Sequence, residues 1–246
     1  MGILTFLLSV ASFLVCTYLS FFVLWRKNES EHIPDLQPFL DRAVVSFVGG
    51  ALTGRVAFVL LSLPQGIRPG SILDFFWGPI SLPIALLFGL TFLYLLTKAD
   101  WKDRFILLDF TSIALSFWFA SLAIRSVFLG VIGLSIRTSE IQVAVIPLLF
   151  SFFSFVFYVL LFSALNYLEK RYRTFMWYRS RRSSAQSGFV ISVFLILSSV
   201  WQLAIAALSG QLTSSVVQIA TTLLTIFFFV SGFLLLYIRS GRFKGK

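Results

Sequence analysis

The sequence predicts an all-α integral membrane protein, a seven-transmembrane-helix bundle with its N-terminus outside and its C-terminus cytoplasmic. Three observations support this fold class. Hydrophobic residues make up 58% of the 246 positions and charged residues only 12%, which is too apolar for a soluble domain of this size. The apolar residues fall into seven runs, each of about 20 residues or more, the length that crosses a bilayer. Lys and Arg are concentrated in alternate connections between these runs.

The spans are predicted near 3–25, 43–63, 75–97, 106–133, 141–165, 188–208 and 212–238. The first run carries no charged side chain and lacks both a basic start and a small-residue cleavage site, which favours a retained helix over a cleaved signal. The longest polar connection, 166–187, is too short to form a soluble domain. We therefore expect one polytopic membrane domain, 1–246.

The basic residues predict the orientation, because Lys and Arg are retained on the cytoplasmic side. Sixteen of the twenty lie on one side, which we call the basic end of the bundle; the other side, the opposite end, has only Arg68 and Arg137. The sixteen are Arg26, Lys27, Arg42, Lys98, Lys102, Arg104, Lys170, Arg171, Arg173, Arg179, Arg181, Arg182, Arg239, Arg242, Lys244 and Lys246. This bias explains the net charge of +10 by topology and by attraction to anionic lipids, not by nucleic-acid binding.

The remaining two basic residues, Arg55 and Arg125, lie within predicted spans and are the candidate site residues. An arginine at membrane depth costs roughly 3 kcal/mol on insertion scales, so it usually faces the bundle interior and holds an anion. Arg55 is predicted near the bilayer midplane and Arg125 in the outer half, so both could face one cavity that binds an anionic lipid head group. Snorkelling to the interface is the alternative for Arg125.

Other polar residues point to structural roles. Asp109 follows Arg104 and Phe105 by four to five positions, which favours capping or a local ion pair. The only histidine, His32, lies among acidic residues, as is typical of solvated surface. The only cysteine, Cys16, allows no intrachain disulfide and no cysteine-based metal cluster. We expect no metal and no cofactor.

Small residues and prolines mark two further features. Gly49, Gly50 and Gly54 form a small-residue face that would let another helix approach the second span closely and leave room for Arg55. Pro79 and Pro83 interrupt the third span near its outer end, where freed backbone groups could border a polar cavity.

Taken in order, several segments resemble the prolipoprotein diacylglyceryl transferase family of the bacterial inner membrane. The segment 41–60, which contains Gly49-Gly50-Ala51 and Gly54-Arg55, is similar to the family's glycine-rich entry into its second span. Ala123-Ile124-Arg125-Ser126-Val127-Phe128 resembles the family's Ile-Gly-Arg-Ile-Gly-Asn. Weaker similarities occur at 78–83, 104–109, 137–143, 194–202 and 212–213.

The resemblance implies an inner-membrane protein whose partners are phosphatidylglycerol and prolipoprotein signal peptides, with Arg55 and Arg125 binding the lipid head group. The family transfers a diacylglyceryl group from phosphatidylglycerol to a lipobox cysteine. Several family residues are replaced here: Pro83 stands for a histidine, Phe128 for an asparagine, Leu134 or Gly133 for a glutamate and Gln202 for a late arginine. The catalytic residues stay unknown, and a degraded active site with retained anionic-lipid binding is the expectation.

Three alternatives stay open. The protein could remain a transferase in which Glu140 or another polar group fills the missing roles. It could be a small lipid transporter or flippase, or a non-catalytic membrane scaffold.

Overall fold

The computed structural model describes residues 3–30, 36–62, 82–97, 101–136, 141–174, 187–209 and 216–239. The regular structure within these ranges is entirely α-helical. The helices are α1 Ile3–Ser30, α2 Leu36–Ser62, α3 Leu82–Leu96, α4 Trp101–Ile136, α5 Ile141–Thr174, α6 Phe189–Leu208 and α7 Val216–Arg239. Each predicted span overlaps one of them, which confirms a helical membrane protein.

Five helices contain a segment long and apolar enough to cross a membrane: Leu40–Leu61, Arg104–Phe128, Leu148–Arg171, Phe189–Leu208 and Val216–Arg239. The apolar segments of α1 and α3, Val10–Arg26 and Pro83–Leu96, are shorter. The prediction of seven spans therefore stays a prediction for α1 and α3, as does the side of the membrane on which each terminus lies.

Helix α3 covers the later part of the predicted span 75–97, and residues 75–81 lie outside the described residues. The helix begins at Leu82, and Pro83 occupies its first turn, where a missing backbone N–H leaves no hydrogen bond unmade. Its 15 residues rise only about 22 Å, less than the roughly 30 Å hydrocarbon core. Pro79 lies outside the described residues.

Helix α4 is the centre of the bundle. Of its membrane-crossing segment 61% is buried, against 17% for the corresponding segments of α5 and α7. It packs against α1, α5 and α6, while α2 packs on α3 and α6 on α7. The Phe119 ring of α4 stacks on Tyr158 of α5 with ring centroids 5.1 Å apart. The core is therefore built around α4, and the other helices present apolar side chains outward, such as Leu160, which is 64% exposed.

Contacts between helix ends show how the helices run. At the basic end, Arg104 at the start of α4 lies over the ring of Tyr94 near the end of α3, and Arg239 at the end of α7 lies over Phe105 of α4. At the opposite end, Arg125 late in α4 contacts Ser12 early in α1. Helix α4 is therefore antiparallel to α1, α3 and α7.

The small-residue face of α2 packs directly on α3. A Cβ atom added at Gly50 would lie 2.6 Å from the carbonyl oxygen of Ala85 and 2.8 Å from Cα of Gly89. Such contacts are too short for any side chain, so the two backbones meet there. The predicted close approach of a second helix is confirmed, and that helix is α3.

Asp109 caps a helix that lies far away in sequence. Its carboxylate is fully buried; Oδ2 accepts a hydrogen bond from the Gly188 N–H at 2.7 Å, and Oδ1 accepts one from the Ile191 N–H at 2.8 Å. These N–H groups belong to the start of α6, where unpaired donors and the helix dipole favour a negative charge. The expectation of capping is met, but across the bundle and not locally.

Candidate functional site

Arg55 lies in the interior of the bundle. Its side chain is only 3% exposed, on the face of α2 that also buries Ala51 and Val59. That spacing of four residues is one helical turn and defines a single core-facing stripe. Arg55 is therefore buried within the protein, as expected of an arginine that faces the bundle interior, while its depth in the bilayer stays a prediction.

Arg125 lies against α1. Its Nε–H donates a hydrogen bond to Oγ of Ser12 at 2.9 Å, and its guanidinium carbon lies 5.8 Å from the centroid of the Phe13 ring. The side chain is half-buried. One turn away on the same pair of helices, Cys16 donates a long hydrogen bond to the Ser121 carbonyl. Arg125 thus joins α4 to α1.

One cavity, which we call the polar cavity, has a volume of about 520 Å³ and is lined by α2 to α7. On every helix the lining residues lie toward the opposite end of the bundle; examples are Phe58 near the end of α2 and Val217 near the start of α7. Polar side chains form about half of the lining, and none is acidic or basic. They are Ser126, Ser151, Ser154, Tyr158, Trp201, Gln202, Thr221, Thr222 and Thr225.

Two hydrogen bonds connect α5 to α6 at the wall of the polar cavity. The indole N–H of Trp201 donates to Oγ of Ser154 at 3.2 Å, and the Tyr158 hydroxyl is hydrogen-bonded to the side chain of Gln202. The Trp201 ring also stacks on Phe157, 4.5 Å between centroids and 5° from parallel. The wall is therefore held in place by contacts between its own side chains.

A second, smaller cavity of about 100 Å³ lies toward the basic end between α1, α2, α3 and α4. Its few polar side chains include Ser20, Ser46 and Thr111, whose hydroxyls donate to carbonyls one turn earlier in their own helices. Its surface is otherwise apolar, as suits a hydrocarbon chain.

Along α2, Arg55 lies between a residue that lines the smaller cavity and one that lines the polar cavity. On α2, Ala51 lines the smaller cavity and Phe58 lines the polar cavity, with Arg55 between them. On α4, Phe119 lines both. Neither Arg55 nor Arg125 is among the lining residues of these two cavities, so a cavity shared by both arginines stays a prediction.

The positions at which this sequence differs from the transferase family lie in different environments in the structure. Pro83 and Gln202 both line the polar cavity, whereas the Phe128 side chain is 64% exposed. Glu140 lies outside the described residues, and the surroundings of Gly133 and Leu134 are not described either. Within the described residues, no group of three or more His, Cys, Asp or Glu could hold a metal ion.

Sequence reasoning missed Tyr158 and did not recognise that Trp201 and Gln202 form one wall. A signal was present for Tyr158, since it is the one residue with a hydroxyl-bearing ring in the Phe-rich stretch 149–165. A tyrosine among phenylalanines in a span usually finds a polar partner. The pairing with α6 could not be read from the sequence because it depends on how α5 and α6 are rotated.

Comparisons of the chain with protein-family models, with curated proteins and with solved structures find no match.

Proposed function

We propose that this protein binds an anionic phospholipid, of which phosphatidylglycerol is the expected example, inside its helical bundle in a bacterial cytoplasmic membrane. In this proposal it is a divergent relative of the prolipoprotein diacylglyceryl transferases with a degraded active site. The observation that carries the proposal is the burial of Arg55, 3% exposed, on α2 between Ala51, which lines the smaller cavity, and Phe58, which lines the polar cavity. Arginine keeps its proton in protein environments, so the interior carries a permanent positive charge at this level.

A phosphate group suits that charge. Arginine binds phosphate through two parallel charge-assisted hydrogen bonds, which are about twice as strong as neutral ones. The low dielectric of the bundle interior strengthens the attraction further. The smaller cavity next to Arg55 offers an apolar surface for an acyl chain. Arg125 is proposed as a second head-group contact, in addition to its bond to Ser12.

Loss of transferase chemistry is the second part of the proposal. The family reaction joins a cysteine thiolate to a glycerol carbon of phosphatidylglycerol and releases glycerol phosphate, which requires activation of the thiol and positive charge at the phosphate. Pro83 lines the polar cavity where the family has a histidine, and a proline side chain cannot take up a proton. A prolipoprotein signal peptide would then be a bound partner and not a substrate.

The first experiment measures bound lipid. The purified full-length protein is titrated with phosphatidylglycerol and with phosphatidylcholine, and complexes are counted by native mass spectrometry. We expect a preference for phosphatidylglycerol that Arg55→Gln reduces by about tenfold or more, the loss of one charge-assisted interaction. Arg42→Gln, which removes the same charge from the basic end of the same helix, is the matched control. An unchanged preference in Arg55→Gln would contradict the proposal.

The second experiment tests for the family reaction. The chain is expressed in a bacterium depleted of its own transferase, and lipidation of a reporter prolipoprotein is measured alongside membrane insertion. We expect no rescue. Rescue that is lost in Arg55→Gln and in Arg125→Gln would instead identify a working transferase with a rearranged site.

A further inference from the structure

We propose that the polar cavity binds the uncharged, hydroxyl-bearing head group of a lipid, a ligand different from the anionic phospholipid assigned to Arg55. The cavity volume of about 520 Å³ is within the usual range for small-molecule sites, roughly 300–1,000 Å³. Its lining combines apolar surface with several polar side chains and, among the residues that line it, no formal charge. The inference concerns a separate set of residues, so it can fail or succeed independently of anionic-lipid binding.

The hydrogen-bonding capacity of the lining is biased toward acceptors. Thr221 and Thr225 donate their hydroxyl hydrogens to the carbonyls of Gln218 and Thr221 in their own helix, at 2.9 and 2.7 Å. Ser126 donates to Ala123 in the same way. A hydroxyl that donates to its own backbone keeps two lone pairs, so these three oxygens can only accept.

The wall formed by α5 and α6 offers both acceptors and donors. The Ser154 hydroxyl donates to the Phe150 carbonyl at 2.7 Å and accepts from Trp201, which uses the only donor of the indole. Tyr158 and Gln202 are bonded to each other. One bond between them uses only one of their three donor hydrogens, so this wall keeps acceptor lone pairs and at least one amide N–H of Gln202.

The donors, acceptors and charges of the lining residues indicate the chemical class of the ligand. A phosphate or carboxylate would bring a negative charge into a lining that contains no cation, at a high desolvation cost. An ammonium group would lack a counter-charge in the same lining. Hydroxyl groups supply donors without charge, so an alcohol or a sugar fits best.

The position of the cavity points to a lipid and not to a free sugar. The polar cavity lies between helices whose outer faces are apolar, and most of its own lining surface is apolar. The Trp201 ring, which lines the cavity and is held by its stack on Phe157, provides aromatic surface for the non-polar face of a sugar or for a glycerol backbone. A glycosylated diacylglycerol combines both parts, with diacylglycerol as the simplest member of the class.

The test is a titration of the purified full-length protein with monoglucosyl diacylglycerol, phosphatidylglycerol and free glucose, followed by native mass spectrometry. The variant is the double substitution Thr221→Val and Thr225→Val, which removes two acceptors without a large change in shape. Thr91→Val is the matched control, because the Thr91 hydroxyl makes the same bond to its own helix, to Leu87, on an exposed face of α3. Unfolding temperatures are compared to verify that the bundle is intact.

We expect the double variant to bind the glucosyl lipid about tenfold or more weakly, the loss of buried hydrogen-bond partners, while Thr91→Val binds as the unchanged protein does. Phosphatidylglycerol binding should be unaffected by the double variant. If that variant does not fold, Ser126→Ala is compared with Ser163→Ala, whose hydroxyl also bonds its own helix. Three results would overturn the inference. The first is equal affinity of the variant and the control for the glucosyl lipid. The others are binding of free glucose but not of the lipid, and competition by phosphatidylglycerol for the same residues.

Discussion

Single buried charges fix two helix contacts in this protein. Asp109 is fully buried and receives two backbone hydrogen bonds from the start of α6. Arg239, at the end of α7, interacts electrostatically with the same carboxylate and lies 3.8 Å from the Phe105 ring centroid. One carboxylate on α4 therefore positions the ends of two other helices, and both of these contacts are distant in sequence.

We predict that Asp109→Asn destabilises the bundle. An amide has one acceptor oxygen where the carboxylate has two, so one N–H of α6 loses its partner, and hydrogen bonds to charged groups contribute about 1.5–3 kcal/mol each. The free energy of unfolding in mixed micelles should fall by at least that amount. Asp41→Asn is the control, since Asp41 is an exposed acidic residue near the same end. Equal stability of the two variants would show that the cap contributes nothing.

The Arg125 contact with Ser12 gives a second prediction at this scale. A double-mutant cycle of Ser12→Ala and Arg125→Met should yield a coupling free energy of about 0.6–1.7 kcal/mol, the range measured for hydrogen bonds between membrane helices. The Trp118 indole N–H donates to Oγ1 of Thr17 on the same two helices at 3.4 Å, near the limit of a hydrogen bond. The coupling free energy of this pair should therefore be smaller. A coupling near zero for Ser12 and Arg125 would mean that the arginine is held by other contacts.

At the scale of helices, glycines decide how closely α2 and α3 pack. Gly50 faces backbone atoms of α3, whereas a Cβ at the adjacent Gly49 would meet only the Phe92 ring, at 3.0 Å. A ring can rotate away but a backbone can move only with its whole helix. The two positions are neighbours in sequence, so they have nearly the same helix propensity and differ mainly in what they contact.

We predict that Gly50→Ala is much more disruptive than Gly49→Ala. At Gly50 the added methyl must separate the helices, a case of overpacking that typically costs about 1–3 kcal/mol. Gly49→Ala should change stability by less than about 1 kcal/mol, because alanine also favours the helix. Thermal unfolding of both variants in detergent provides the comparison. A smaller loss at Gly50 than at Gly49 would contradict the packing of α2 on α3.

At the scale of the whole molecule, the open question is how many helices cross the membrane and in which direction. The basic residues predict a cytoplasmic C-terminus, but α3 is only 15 residues long. If α3 did not cross, the connections before it and after α5 would lie on the same side. Their accessibility therefore tests both the count and the direction.

We predict that positions 71 and 184 lie on opposite sides of the membrane. In a Cys16→Ala background, Ser71→Cys should react with a membrane-impermeant thiol reagent in intact cells, and Ser184→Cys should react only after the inner membrane is opened. Mass spectrometry of the labelled protein measures both. Labelling of both positions from outside would show that one of the three helices between them does not cross the membrane. The reversed pattern would show that the predicted orientation is wrong.

The amino-acid sequence determined the helical class, the approximate place of each helix, the burial of Arg55 and the small-residue face of α2. These properties depend on local composition and on the length of apolar runs, which the bilayer dictates. The tertiary structure decided the partner of Asp109, the contact of Arg125 with α1 and the residues that line the polar cavity. A soluble helix reveals its buried face by the alternation of apolar and polar residues, but here both lipid and protein faces are apolar. The rotation of each helix, and with it the site, is therefore set only by packing between helices.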